Sequence, residues 1–135
     1  MSGIGEGRWV NDYIGIPYKF GGRDFSGVDC YGLCCLIYKE EYGEQLPDWL
    51  FADERDLKEI IERLEEQMDS EAFQPIEQPI DGCFAICYRT RAAHHMGLYL
   101  YGGIIHAHDP TGSIFQTRSM FEREHSNVVY GVWNP

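Results

Sequence analysis

The stretch "GRDFSGVDCYGLCCLIYKEEYG", residues 22–43, changes character at its middle. Up to Asp29 it reads as a glycine-rich loop. From there on, apolar residues fall at Cys30, Leu33, Cys34 and Ile37, the spacing of one helix face. Asp29 is a good N-cap and Gly43 a good stop, so the pattern predicts a helix between them. Cys30 therefore stands in a first helical turn, where unpaired N–H groups and a partial positive charge favour a thiolate. Asp29 does not help ionisation by charge, so it either caps the helix or binds a cationic group of a substrate. Position alone does not separate a nucleophile from a packed cysteine. The reading turns on whether a base stands nearby.

Working outward, "GRWVNDYIG" (residues 7–15) predicts a short first helix ended by Gly15 and Pro17. Residues 54–70 carry a stripe of Leu57, Ile60, Ile61, Leu64 and Met68 with charge elsewhere, an amphipathic helix. Residues 71–82, "EAFQPIEQPIDG", hold two prolines and read as an extended linker. Strands are expected at 83–88, 95–101 and 104–108, with Gly102 and Gly103 as a two-residue hairpin turn. "DPTG" turns the chain into "SIFQTR", and "NVVYGVWNP" closes it as a final strand. Helices first and an antiparallel sheet second give an α+β class, in one domain spanning residues 1–135.

Net charge is −11, from 11 basic and 22 acidic residues, and no basic stripe is visible, which argues against nucleic acid as partner. No apolar run approaches the roughly 18 residues that would suggest a membrane span. The opening "MSGIGEGRWVNDYIG" lacks the pattern of a signal peptide, so the expectation is synthesis in a cytoplasm and delivery by something else. Five cysteines, an odd number, then point to reduced thiols. Cys83 and Cys87 look like a metal pair, but four residues of strand span about 13 Å, too far for one metal or one disulfide. With Cys34 and Cys35 they read as small apolar core residues.

Candidate bases lie in "AAHHMGLYL" and "IIHAHD". Met96, Leu98 and Leu100 alternate as an apolar face that His94 shares, while His95 falls on the other face with Gly97 and Tyr99. A base beside a small residue favours His95. A base histidine needs an orienting partner on its second nitrogen, and His106 can supply one across the hairpin. His108 projects to the same face as His106 but lies nearer the "DPTG" turn. A single sheet histidine is commonly structural; four within 15 residues of paired strands are harder to dismiss. Zinc is the rival use of an H-x-H strand beside another histidine, but no further ligand is placed for it.

Together "PYKFGG", "GVDCYGLCCLIY", "HHMGLYL" and "GGIIHAHD" resemble the NlpC-type cell-wall peptidases, papain-like cysteine hydrolases of bacteria and their phages. The likeness runs from Ile14 to about Asp109. It implies a papain-like fold, with Cys30 as nucleophile, His95 as base and His106 as orienting third member. It also implies substrate contacts at Tyr18, which would line the site, and at Asp29, which would meet a free amine. The Cys30 backbone N–H would be an oxyanion donor. Tyr31 stands where many members have serine, so it would reshape the cleft's contact with substrate. No cofactor and no metal are implied. "GVDCYGL" followed by an acidic helix looks like the branch encoded among phage tail genes. That implies a peptidoglycan endopeptidase made in the host cytoplasm, carried in the virion tail with tail-tip partners, and acting on the wall as DNA passes. Two rivals stand beside it: a structural tail-tip subunit that keeps the fold, and a relative acting on another amide or ester.

Overall fold

The structure, a computed structural model, describes residues 8–46, 73–89, 92–125 and 127–133. The helix expected at 54–70 lies outside the described residues. A 3₁₀ helix, Arg8–Tyr13, opens the described chain where a first helix was expected. A small hairpin follows, β1 (Arg23–Asp24) and β2 (Gly27–Val28), and then helix α1, Cys30–Tyr42. Six strands form the main sheet: β3 (Phe73–Ile76), β4 (Phe84–Arg89), β5 (Ala92–Leu100), β6 (Gly103–His108), β7 (Gly112–Thr117) and β8 (Val128–Trp133). A seven-residue helix α2, Arg118–Glu124, separates β7 from β8. The sheet order is β3-β8-β4-β5-β6-β7, antiparallel throughout, so α2 carries the chain from one edge strand across to β8, the strand beside the other edge. The α+β expectation holds.

Helix α1 has the ends its sequence predicts. The Asp29 side chain accepts from the Gly32 N–H at 2.6 Å, and Gly43 closes the helix in a left-handed conformation. It is not the one-sided helix that the spacing suggested. Tyr31, Leu33, Cys34, Leu36, Ile37 and Tyr38 are all buried, because the sheet covers one side and the N-terminal loop another. Gly32 marks that second contact: a Cβ there would fall on the Gly22 carbonyl oxygen, so only glycine lets the loop lie against the helix.

Strand alternation divides the sheet into two faces. Phe84, Ile86, Met96, Leu98, Leu100, Ile105 and Ala107 join the α1 side chains in the larger core. Ala85, Cys87, Ile104 and Tyr130 point the other way, with Cys83, against Phe121 of α2. Tyr130 Oη donates to Glu122 at 2.7 Å, which ties α2 to β8. All five cysteines are free, and Cys34, Cys83 and Cys87 are buried as apolar side chains.

Three expectations are corrected. The hairpin turn between β5 and β6 is Tyr101-Gly102, with φ of 50° and 87°, because Gly103 already pairs with Leu100. The proline-bearing "linker" contains β3, an edge strand whose Pro75 costs the sheet no ladder bond on its open side. The N-terminal helix is a 3₁₀ turn, anchored by Tyr13 Oη donating to Glu41 at 2.6 Å.

Candidate active site

The geometry that matters lies where β5 and β6 part. Their ladder pairs only Leu98↔Ile105, Tyr99↔Ile104 and Leu100↔Gly103. Beyond it, β5 stays paired to β4, with His95 opposite Cys87, and β6 stays paired to β7. The separated ends carry His95 and His106, and the side chains bridge what the backbones leave open: His95 Nε2 and His106 Nδ1 are 2.8 Å apart. Gly97 makes the approach possible, since a Cβ there would meet the Ile105 carbonyl oxygen at 2.6 Å and His106 Cβ at 2.9 Å.

Cys30 enters the same gap from α1. The Met96 amide, next in the chain to His95, donates to its sulfur, as does the Tyr31 amide. The first-turn Cys30 N–H has no intrahelical acceptor, which leaves it as a donor for an oxyanion. Burial, followed by the Asp29 charge, pushes the thiol up to about 12, the two amides pulling the other way. The helix start alone therefore does not make a thiolate here, contrary to what its position suggested. Ionisation requires a base that takes the proton and stays beside the sulfur as a cation.

His106 is fully buried, and that burial, reinforced by His108 and His125, lowers it to about 4, so its ring is neutral. Its Nε2 stands 2.7 Å from Gln116 Oε1 on β7. His95 sits among rings: His125 stacks on it at 5.3 Å, His108 meets it edge-on at 6.1 Å, and Phe121 lies tilted at 6.4 Å. A solvent-open cavity of about 310 Å³ is lined by His95, His108, Glu124 and His125. The side chain of His94 lies outside the described residues.

The other sequence candidates fall around Cys30 in different ways. Asp29 is 3 % exposed and its carboxylate is occupied: besides Gly32 N–H it accepts from Gly21 N–H at 2.8 Å and from Arg23 Nη1 at 3.1 Å. The capping alternative accounts for it without a substrate amine, which would have to compete with those donors. Tyr31 is also 3 % exposed, its hydroxyl paired with Cys35 and its ring under the Arg23 guanidinium at 5.4 Å. So placed, it offers a substrate little surface and supports the loop instead. Tyr18 is half-buried and bridges to Val28, two residues before Cys30. The N-terminal loop carrying it is pinned to the β6–β7 hairpin through Ser113, whose Oγ donates to the Tyr13 carbonyl and accepts from the Ile16 N–H.

Sequence reasoning missed Gln116, Glu124 and His125. The first two bear no fixed spacing to the histidines; Glu124 and His125 reach the site because α2 crosses the sheet, and Gln116 reaches it from β7, the strand paired with β6. A fifth histidine in "FEREHS" was the available signal.

The comparisons agree with this geometry. The NlpC/p60 domain of the peptidoglycan hydrolase SagA superposes with a TM-score of 0.63, at 21 % identity, covering 98 % of this chain and all of that one. A lipoprotein-like protein of the NLP/P60 family from Staphylococcus aureus superposes at 0.57 and 23 % identity over 87 % of this chain and 37 % of its own. At that identity both speak for the fold. Protein P54 of Enterococcus faecium is 40 % identical over 42 residues, which is 31 % of this chain and only 8 % of the length of that protein. Residues 15–134 match the NlpC/P60 family, and at that extent the chain belongs to it.

Proposed function

We propose that the chain is a cysteine hydrolase that cleaves peptide stems of bacterial peptidoglycan through an acyl-enzyme. The observation that carries it is the bonded His95–His106 pair beside a cysteine whose sulfur receives the amide next to that histidine. In this reading the Cys30 proton passes to His95 as the sulfur attacks the scissile carbonyl carbon. The oxyanion is met by the Cys30 N–H. His95 then returns the proton to the departing amine, leaving a thioester that water, deprotonated by His95, hydrolyses. His106 accepts from His95 Nε2–H and so puts the lone pair of the base on Nδ1. Family membership and the SagA likeness support the substrate class.

The test is digestion of purified peptidoglycan by the isolated protein. Release of soluble fragments with new free amino groups is expected, abolished by a thiol alkylator and retained in a strong chelator. Loss in chelator restored by zinc would move the histidines to a metal role. Intact wall under all conditions would favour the rival of a structural subunit that keeps the fold.

We further propose delivery by a phage tail, with tail-tip partners, on the sequence resemblance in "GVDCYGL" and the acidic stretch after it. The protein is then expected to co-purify with mature virions through washes at moderate salt. Free protein in the lysate with none in particles would overturn it.

A further inference from the structure

A histidine base works only if the correct nitrogen carries its lone pair. For His95 that choice is set by His106, since one of the two facing nitrogens, His95 Nε2 or His106 Nδ1, must bear the hydrogen and the other must accept it. The reverse arrangement, with the hydrogen on His106 Nδ1, would leave His95 Nε2 as the acceptor and put its own hydrogen on Nδ1. The base would then face Cys30 with a donor. Something must exclude that state.

The chain of contacts continues outward and ends on a group with only one possible role. Gln116 Nε2 donates to Glu124 Oε2 at 2.8 Å. A carboxylate only accepts, so the Gln116 amide nitrogen is held toward Glu124 and its oxygen toward His106. That oxygen, 2.7 Å from His106 Nε2, can only accept in turn. It fixes the hydrogen on His106 Nε2, leaves Nδ1 bare, and requires His95 Nε2 to donate.

We infer that Glu124 and Gln116 are positioning residues that set the tautomer of the His106–His95 pair and so keep His95 Nδ1 a proton acceptor. The direction of every hydrogen bond in the relay follows from the carboxylate at its outer end. A neutral, deeply buried His106 suits the role, because a protonated ring would have no lone pair for His95. The relay joins three elements: β6 supplies His106, β7 supplies Gln116 and α2 supplies Glu124. This gives α2 a task beyond covering the second face of the sheet.

The inference rests on His95 being the base, so its experiment has one arm that needs no substrate. Nitrogen-15 NMR of the imidazole rings, recorded on the free full-length protein near neutral pH, reports which nitrogen bears hydrogen. Wild type is expected to show His106 protonated at Nε2 only. Gln116→Leu, similar in size but without an acceptor, should populate the Nδ1–H form of His106. Its kcat on peptidoglycan should fall about 10- to 100-fold with KM within about twofold. The exchanged pair Gln116→Glu with Glu124→Gln keeps an acceptor at position 116 and a donor at 124. It should restore the wild-type tautomer and recover kcat to within about threefold. A packing role would predict the reverse, with leucine tolerated and the exchanged pair no better than either single change. His106 carrying its hydrogen on Nδ1 in wild type, or Gln116→Leu leaving tautomer and kcat unchanged, would overturn the relay. The expected tautomers in a protein that leaves peptidoglycan intact would uphold the relay and count against the substrate.

Discussion

The two faces of the sheet are built from the same strands and do different work. The face toward α1 is apolar along its length, with Ile86, Met96, Leu98, Leu100 and Ile105 closed against the helix. The face toward α2 has a small apolar cluster and a concentration of rings that titrate or hydrogen-bond: His95, His106 and His125 around Phe121, with His108 against His95 and His106. A strand's period of two makes this division possible, since one stretch can give Met96 to one face and His95 to the other. Stability and chemistry are thus written on alternate residues. They meet only where β5 and β6 part and Cys30 reaches in from the stability side.

The sharpest test of that division is the one residue that crosses it. Cys30→Ala should fold with an unchanged melting temperature and lose peptidoglycan hydrolysis by several orders of magnitude. His95→Ala should be similarly inactive, whereas His106→Ala should keep a residual rate, because an orienting partner is less costly to lose than a base. His94→Ala should retain activity, following the alternation that the sequence predicts for this strand. A dead His94→Ala variant beside an active His95→Ala would reverse the assignment of faces.

The complementary test strikes the apolar face. Leu98 is fully buried in the larger core, in the register pair that ends the β5–β6 ladder. Leu98→Ala should cost about 2–5 kcal/mol of stability in a urea titration. Its kcat, measured at a temperature where it stays folded, should remain within a few-fold of wild type. A large loss of kcat with little loss of stability would mean that the two faces are not separable.

How much of this was legible follows from how local each signal is. Helix α1 could be read because its cap, its apolar spacing and its stop all lie within 15 residues. The pairing of His95 with His106 could be read because one tight hairpin fixes both strands. The turn itself was misplaced by one residue, since "YGG" offers two choices and the chain puts Tyr101, not Gly103, at positive φ. Strand β3 was hidden by Pro75, which only an edge position tolerates, and the edge is set by β8, some 55 residues later. Helix α2 buries a single side chain, Phe121, so no periodicity announces it. Glu124 and His125 were illegible for the same reason, and Gln116 because its bond to His106 depends on the β6–β7 register. The burial that raises the Cys30 thiol was also beyond reach, because it depends on strands more than 50 residues away.

Acid should separate the faces again, by a smaller margin. His106 is lowered from 6.5 to about 4 in the folded protein. Between those values the unfolded chain binds the extra proton, so this residue's share of stability is full above pH 6.5 and is lost as pH falls toward 4. The loss at the low end is on the order of 3 kcal/mol, and about 2 kcal/mol at pH 5. His95, His108, Gln116, Phe121, Glu124 and His125 surround the ring, and other groups titrate in the same range. The measurement is therefore a difference: urea midpoints from pH 7 to 4 for wild type against His106→Gln. The variant should show the flatter profile. Parallel profiles would mean that His106 titrates alike in both states.

The smallest effect is expected at Gly97, where backbone geometry rather than any functional group is at stake. An added methyl would point to the histidine side of the sheet and meet the Ile105 carbonyl oxygen, Ile104 Cγ2 at 2.8 Å and His106 Cβ at 2.9 Å. Two of these neighbours are β6 backbone or β-carbon and cannot rotate away, so β6 must move by several tenths of an ångström. The move acts on the 2.8 Å bond between His95 and His106. Gly97→Ala should therefore lower kcat by about tenfold, with a stability loss of about 1–2 kcal/mol from overpacking. Serine should do no better than alanine, since the obstruction is at Cβ. If Gly97→Ala instead loses stability with kcat intact, the strand gap is more compliant than the contact distances imply, and the histidine face tolerates displacement that its bonded relay should not.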